Sequence, residues 1–269
     1  MPKRPKEDQG SLLAGNVSVS LSPGGAPMAT LTHPEGGSCQ VLLAGARVAS
    51  WRATDGAERL GGIASAEGSG QTPPAPCGLE PGGLDHTVPA EAWVVETMVN
   101  RTEEGAVSFS LFAEVSEGGG APVAARATIA LWPERLLMTL EVANAAEEAP
   151  EEAGGDAAVP GGAAGVELPR LSLVGRCCRT GDMAAAPAGR ASAEEEGAAA
   201  ALLQGLGLGF SAEGFSRLAA WPASATTEGG EATGNGDLCF EAVAGGPISL
   251  APGEAATGAV SLELLRPQQ

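Results

Sequence analysis

The chain has no tyrosine, only five phenylalanines and four tryptophans in 269 residues, and 15 basic residues against 33 acidic ones. With so few aromatics the core has to be built mainly from Leu, Val and Ala. The net charge of −18 argues against an extended contact with nucleic acid or an anionic bilayer, because such surfaces are bound by lysine and arginine that neutralise phosphate. No apolar run approaches the ~20 residues that a membrane-spanning helix needs. The start, Met1-Pro2-Lys3-Arg4-Pro5-Lys6, is basic but is not followed by the apolar segment of a secretory signal, so residues 1–15 read as a solvated tail. Five cysteines, Cys39, Cys77, Cys177, Cys178 and Cys239, are odd in number, form no CxxC pair and have no nearby histidine partner. That fits neither a zinc site nor a disulfide framework, so the expectation is reduced thiols in the cytoplasm, with no metal and no cofactor.

What is present is strand punctuation. Short Val/Leu-rich runs at 17–31 and 39–51 are separated by Pro23-Gly24-Gly25 and Pro34-Glu35-Gly36-Gly37, the turn residues of hairpins. Similar runs recur at 92–99, 106–115, 123–131 and 135–144, and in the last of these Leu136, Met138, Leu140 and Val142 keep the period of two that marks a half-buried strand. Two further strands are expected at Asp237 to Ala244 and Gly258 to Leu265. Residues 145–165 and 184–200 are rich in Ala, Gly and Glu and read as loops, with a short helix expected from Ala191 to Leu203, since Ala and Glu are strong helix formers. The domain expectation is a single all-β unit over residues 16–267, a large twisted antiparallel β-sandwich.

Two blocks carry a more specific signal. The first is His33-Pro34-Glu35-Gly36-Gly37-Ser38, Val41, Gly45-Ala46-Arg47-Val48-Ala49-Ser50-Trp51, Gly56 and Glu58; the second is Cys239-Phe240-Glu241-Ala242 followed by Pro247-Ile248-Ser249-Leu250-Ala251-Pro252-Gly253-Glu254. Together they resemble the hexose-6-phosphate mutarotases (glucose-6-phosphate 1-epimerases) of the galactose-mutarotase-like superfamily. Between them, Leu131 to Asn144 looks like a strand of that family, and Trp221-Pro222 looks like its "W-N-P" turn without the Asn. The resemblance spans most of the chain and implies a large twisted β-sandwich.

Exchange of sugar anomers needs a base at the anomeric hydroxyl and an acid at the ring oxygen, tasks suited to a carboxylate and a histidine. The resemblance implies that Glu241 is the base. It also implies a histidine acid in an "H-T-Y-F" segment, but the corresponding stretch from Asp156 to Ala163 has no histidine. His86 stands about where the family's "H-G-F-A-R" begins, yet Thr87-Val88-Pro89-Ala90 follows and the arginine is lost; Gly61-Gly62-Ile63 is a misplaced echo of "R-G-G-I-P" without its arginine. Without those arginines a phosphate lacks its bidentate contacts. His33 reads as structural, and Trp51 and Trp132 as core anchors. Trp93 and Trp221 are the candidate sugar platforms.

The expected function is therefore a degenerate epimerase-like domain, non-catalytic, acting as a binding or scaffold subunit of a larger cytosolic or cytoskeletal assembly through a protein partner. Two alternatives stand beside it. One is an active epimerase acting on a hexose or hexose phosphate, with Glu241 as base and His86 or a water as acid; the other is a lectin-like module using Trp93 or Trp221.

Overall fold

The structure, a computed structural model, describes residues 16–60, 78–84, 87–116, 121–146, 165–177, 201–222 and 238–265; of Trp221 and Pro222 it describes the backbone. The expected N-terminal tail, nearly all of both expected loops, Cys77, Cys178 and His86 lie outside the described residues. So does most of the expected helix, although residues 201–204 are helical.

Among the described residues sixteen strands follow in order: β1 Asn16–Leu21, β2 Pro27–Thr32, β3 Ser38–Leu42, β4 Arg47–Arg52, β5 Leu79–Gly82, β6 Val94–Val99, β7 Val107–Val115, β8 Val123–Leu131, β9 Arg135–Asn144, β10 Val166–Leu168, β11 Ser172–Cys177, β12 Leu208–Glu213, β13 Arg217–Pro222, β14 Leu238–Val243, β15 Ile248–Leu250 and β16 Ala255–Leu264. They form an eight-stranded sheet in the order β1-β2-β3-β4-β5-β11-β14-β13, a six-stranded sheet in the order β12-β16-β9-β8-β7-β6, and the small pair β10-β15. All the pairings are antiparallel. The expected all-β antiparallel sandwich is what the chain adopts.

The period of two explains how the sheets meet. Leu136, Met138, Leu140 and Val142 on β9 are fully buried, as are Val107, Phe109 and Leu111 on β7. Along β8, Ala127 opposes Leu140 and Ile129 opposes Met138, so small and large side chains share the space. These residues join Leu31, Val41, Trp51, Leu79, Leu173 and Phe240 of the larger sheet in one core. Each fully buried Leu, Met or Phe contributes roughly 1.5–3 kcal/mol before chain entropy is set against it.

The first motif block acquires a physical reason here. His33 donates from Nε2 to the Gly105 carbonyl (2.9 Å) while Nδ1 accepts from the Glu35 amide (3.2 Å), tying the β2–β3 turn to the turn before β7. On β4 an extra residue, Ala49, enters where the register with β3 shifts. This puts both Val48 and Trp51 into the core and leaves Ala49 in a small apolar cluster with Met28 and Leu42.

Close backbone approach governs Gly78, at the entry to β5. Its φ is +112°, and a Cβ there would lie 2.1 Å from the Val48 carbonyl oxygen. Gly78→Ala is expected to cost at least about 2 kcal/mol, from strain at positive φ plus displacement of β4, read as a lower urea midpoint. A stability unchanged from the parent would contradict the close packing of these two strands.

On the outer face of the smaller sheet Arg126 of β8 grips Glu96 of β6 through Nε and Nη2 (both 2.8 Å) and reaches Glu141 of β9 (3.2 Å). The hydrogen bonds from Arg126, aided by its charge, hold the Glu96 carboxyl below its ordinary value against a smaller desolvation effect. A carboxyl depressed in the folded state stabilises the protein above its unfolded value, and that contribution is lost as pH falls through the folded value. Because the pair is solvated, Glu96→Gln is expected to cost well under 1 kcal/mol at neutral pH. The gap from the parent should close below about pH 4.5, as urea titrations at several pH values would record. A gap that widens on acidification would sink this assignment.

Candidate functional site

Strand β14 lies between β11 and β13, so residues of three strands share each row. Glu241 is opposite Val174 on β11 and Ala219 on β13, and Val174 is in turn opposite Glu80 on β5. Leu238, Phe240 and Ala242 of β14 enter the core. Alternation therefore turns Glu241 to the opposite face of the sheet, away from the sandwich interior.

A cleft of about 300 Å³ opens on that face, lined by Arg170, Arg217, Ala219, Glu241, Val243 and the Gly245-Gly246 turn among others. Arg170 comes from the link between β10 and β11, and its guanidinium is ion-paired with the Glu241 carboxylate, which is 17% exposed. Arg217 opens β13 in register with Val243, one alternate step along β14 from Glu241. Farther along the face, Arg47 of β4 reaches Glu80 at 3.8 Å. Arg176 stands on the same side of β11 as Val174, in the row of Cys239 and Trp221. The cleft thus joins one carboxylate to guanidinium groups, a set that holds an anionic or hydroxyl-rich ligand by charge-assisted hydrogen bonds.

The sequence-predicted residues are placed unevenly. Glu241 lies in the cleft. His33, one of the two histidines, is 6% exposed in its turn and far along the fold from β14. Trp93, expected as a sugar platform, is instead 6% exposed, its ring packed within the core cluster just before β6. Trp221 is on β13 opposite Cys239, two positions along β14 from Glu241. Trp51 is fully buried as expected. Trp132 differs from its expected core position: it is half-buried at the β8–β9 turn with the Arg135 guanidinium 4.9 Å above its ring.

Cys39, Cys177 and Cys239 are buried thiols, and burial pushes the Cys39 thiol far above its ordinary value. Among the described residues no group of three or more His, Cys, Asp and Glu is placed to hold a metal ion. A larger hollow of about 400 Å³ lies on the outer face of the smaller sheet, lined by Arg135, Thr139, Ser211, Glu213 and Ser261 among others. Its lining includes no residue of either motif block, and it is already satisfied in part by the Arg135 to Ser261 hydrogen bond (2.8 Å). The Glu241 cleft is therefore the candidate site.

Solved structures of galactose-mutarotase type share this architecture. A galactose mutarotase-like protein from Clostridium acetobutylicum superposes with a TM-score of 0.54 at 10% identity, over 94% of this chain and 99% of its own. A galactose 1-epimerase from Lactobacillus acidophilus superposes with a TM-score of 0.51 at 12% identity, over 93% of this chain and 98% of its own. No protein-family model matches the chain, and no curated protein matches its sequence. The fold is that of the galactose-mutarotase-like proteins, as the two sequence blocks implied. Among the described residues no helix is long and apolar enough to cross a membrane.

Proposed function

We propose that this chain is an epimerase-like domain that binds a hexose or hexose phosphate in the Glu241 cleft without efficient anomer exchange, and that it serves as a binding or scaffold subunit with a protein partner. The observation that carries this reading is the Glu241–Arg170 ion pair inside the cleft. A carboxylate oxygen engaged by a guanidinium is less available to accept the anomeric proton. Arginine stays protonated and so cannot supply the exchangeable proton that the ring oxygen needs. With His33 committed to a turn, only His86 is left in the whole sequence as an imidazole acid.

The two cleft arginines favour a phosphorylated sugar over a neutral one, from positions that do not match the family's own phosphate arginines. A second reading, an active glucose-6-phosphate 1-epimerase, is favoured by the position of Glu241 at the matched motif and on the open face of the sheet. A lectin-like module would have to rely on Trp221, since Trp93 is buried.

One experiment separates these. NMR exchange between α- and β-glucose 6-phosphate, with the parent and Glu241→Gln, is expected to show binding shifts but no acceleration over buffer in either protein. Exchange well above buffer that vanishes in Glu241→Gln would replace this reading with the enzymatic one. Weaker binding shifts are expected when glucose replaces glucose 6-phosphate. Equal binding of both sugars would remove the phosphate from the reading.

A further inference from the structure

Among the described residues four strands end the two large sheets: β1 and β13 in one, β6 and β12 in the other. Edges left with unpaired amides and carbonyls recruit other strands unless something blocks them. Three of the four are blocked. Strand β6 carries Glu96 at a register shift, held by Arg126. Strand β12 ends in Glu213, and β13 carries Arg217 and Pro222.

Strand β1, Asn-Val-Ser-Val-Ser-Leu, has no charge and no proline, and it pairs with β2 in an unbroken register. Its Val17, Val19 and Leu21 share one face, and Val17 packs against the core. Val19 and Leu21, farther along, are 48% and 68% exposed, so the apolar face of β1 runs out beyond the cover of the other sheet.

We propose that the chain self-associates through β1, two copies setting this strand antiparallel about a twofold axis so that the eight-stranded sheet continues into its copy. A twofold axis normal to the joined sheet keeps every side chain on its own face, so paired residue numbers must have an even sum. Centred on Val19, the register sets Val19 against Val19, Val17 against Leu21 and Ser18 against Ser20. Apolar then meets apolar on one face, and hydroxyl meets hydroxyl on the other, the cross-strand pairs that stabilise a sheet.

Charge selects the same place. The chain carries a net charge of −18, which sets most of its surface against a second copy, yet residues 9–34 contain no Asp, Glu, Lys or Arg. Strand β1 and its hairpin lie wholly within that neutral stretch.

The test is sedimentation velocity of the full chain across the micromolar range, with three variants at these exposed positions whose folding is checked by circular dichroism. The parent is expected to dimerise. Val19→Lys, which sets two ammonium groups face to face, is expected to raise the dimer dissociation constant about tenfold or more. The register is read by a charge swap: S18K/S20K sets lysine against lysine and is expected to be monomeric, whereas S18K/S20E sets lysine against glutamate and is expected to dimerise. A monomeric parent overturns the proposal, as does a dimer that survives both V19K and S18K/S20K. Amides of β1 that resist hydrogen exchange in a monomeric chain, as cover by its own N-terminal residues or by a different protein would produce, overturn it too.

Discussion

Gly175→Val is expected to destabilise the protein by about 3 kcal/mol, which would move the urea midpoint by roughly 1 M or more. Gly175 lies at the middle of β11, directly opposite Phe240 of β14. The Phe240 ring covers the space a side chain would take: a Cβ at 175 would fall 2.2 Å from its Cζ. That ring cannot swing aside, because it is fully buried and packs edge to face against Phe210 at 5.3 Å. Two interior strands of the larger sheet would have to separate instead.

The cause can be isolated. Phe240→Leu alone gives up the aromatic contact and some buried area, about 1–2 kcal/mol. In that background Gly175→Ala should be much less harmful than in the parent, with a coupling of at least about 1 kcal/mol between the two sites. Additive effects would show that the glycine is required for a reason other than the ring.

Glu58→Ala is expected to cost about 3 kcal/mol, unusually much for a residue in a surface turn. The Glu58 carboxylate accepts from the Trp51 amide (2.9 Å), the Leu60 amide (3.2 Å) and the Ser50 hydroxyl. Arg52 Nε adds a longer contact at 3.4 Å. Removing the carboxylate leaves donors unpaired beside the fully buried Trp51, and hydrogen bonds to a charged acceptor are worth about 1.5–3 kcal/mol each where water is excluded. Glu58→Gln keeps one acceptor oxygen and should recover about half of the loss. Urea unfolding decides this, and a Glu58→Ala protein as stable as the parent would mean that water replaces the carboxylate. This turn also explains why Trp51 and Glu58 fall at fixed spacing in the first motif block: the carboxylate closes the hairpin that carries the tryptophan inward.

The legible parts of the fold were those in which one face of a strand is buried along its length. Strands β7, β8 and β9 alternate over nine or ten residues, so the period stands out. Strands β5 and β11 did not stand out, though they lie at the centre of the larger sheet. Strand β5 is Leu-Glu-Pro-Gly, and its proline is tolerated because β5 pairs with β4 at Val48 and Leu79 alone. Strand β11 contains Gly175, which reads as a break until the ring that fills its place is known.

The site divides in the same way. Glu241 was legible because the motif and the alternation of β14 both mark it. Arg170 and Arg217 were not, because what brings them to Glu241 is the order β11-β14-β13, a crossover that no local pattern announces. Trp93 and Trp132 exchanged their expected settings for a related reason: whether a tryptophan just outside a strand is covered depends on long-range packing, which no local pattern announces.

Strand β14 holds Phe240 and Glu241 as neighbours on opposite sides of one sheet. One side is sealed, and altering it disturbs every strand nearby; the other meets solvent, where a side chain can be exchanged with little effect on what lies beneath. Chemistry on the open side can therefore be lost, moved or rebuilt residue by residue while the shape persists. Two chains on such a scaffold can share about one identical residue in ten and still superpose over nearly their whole length.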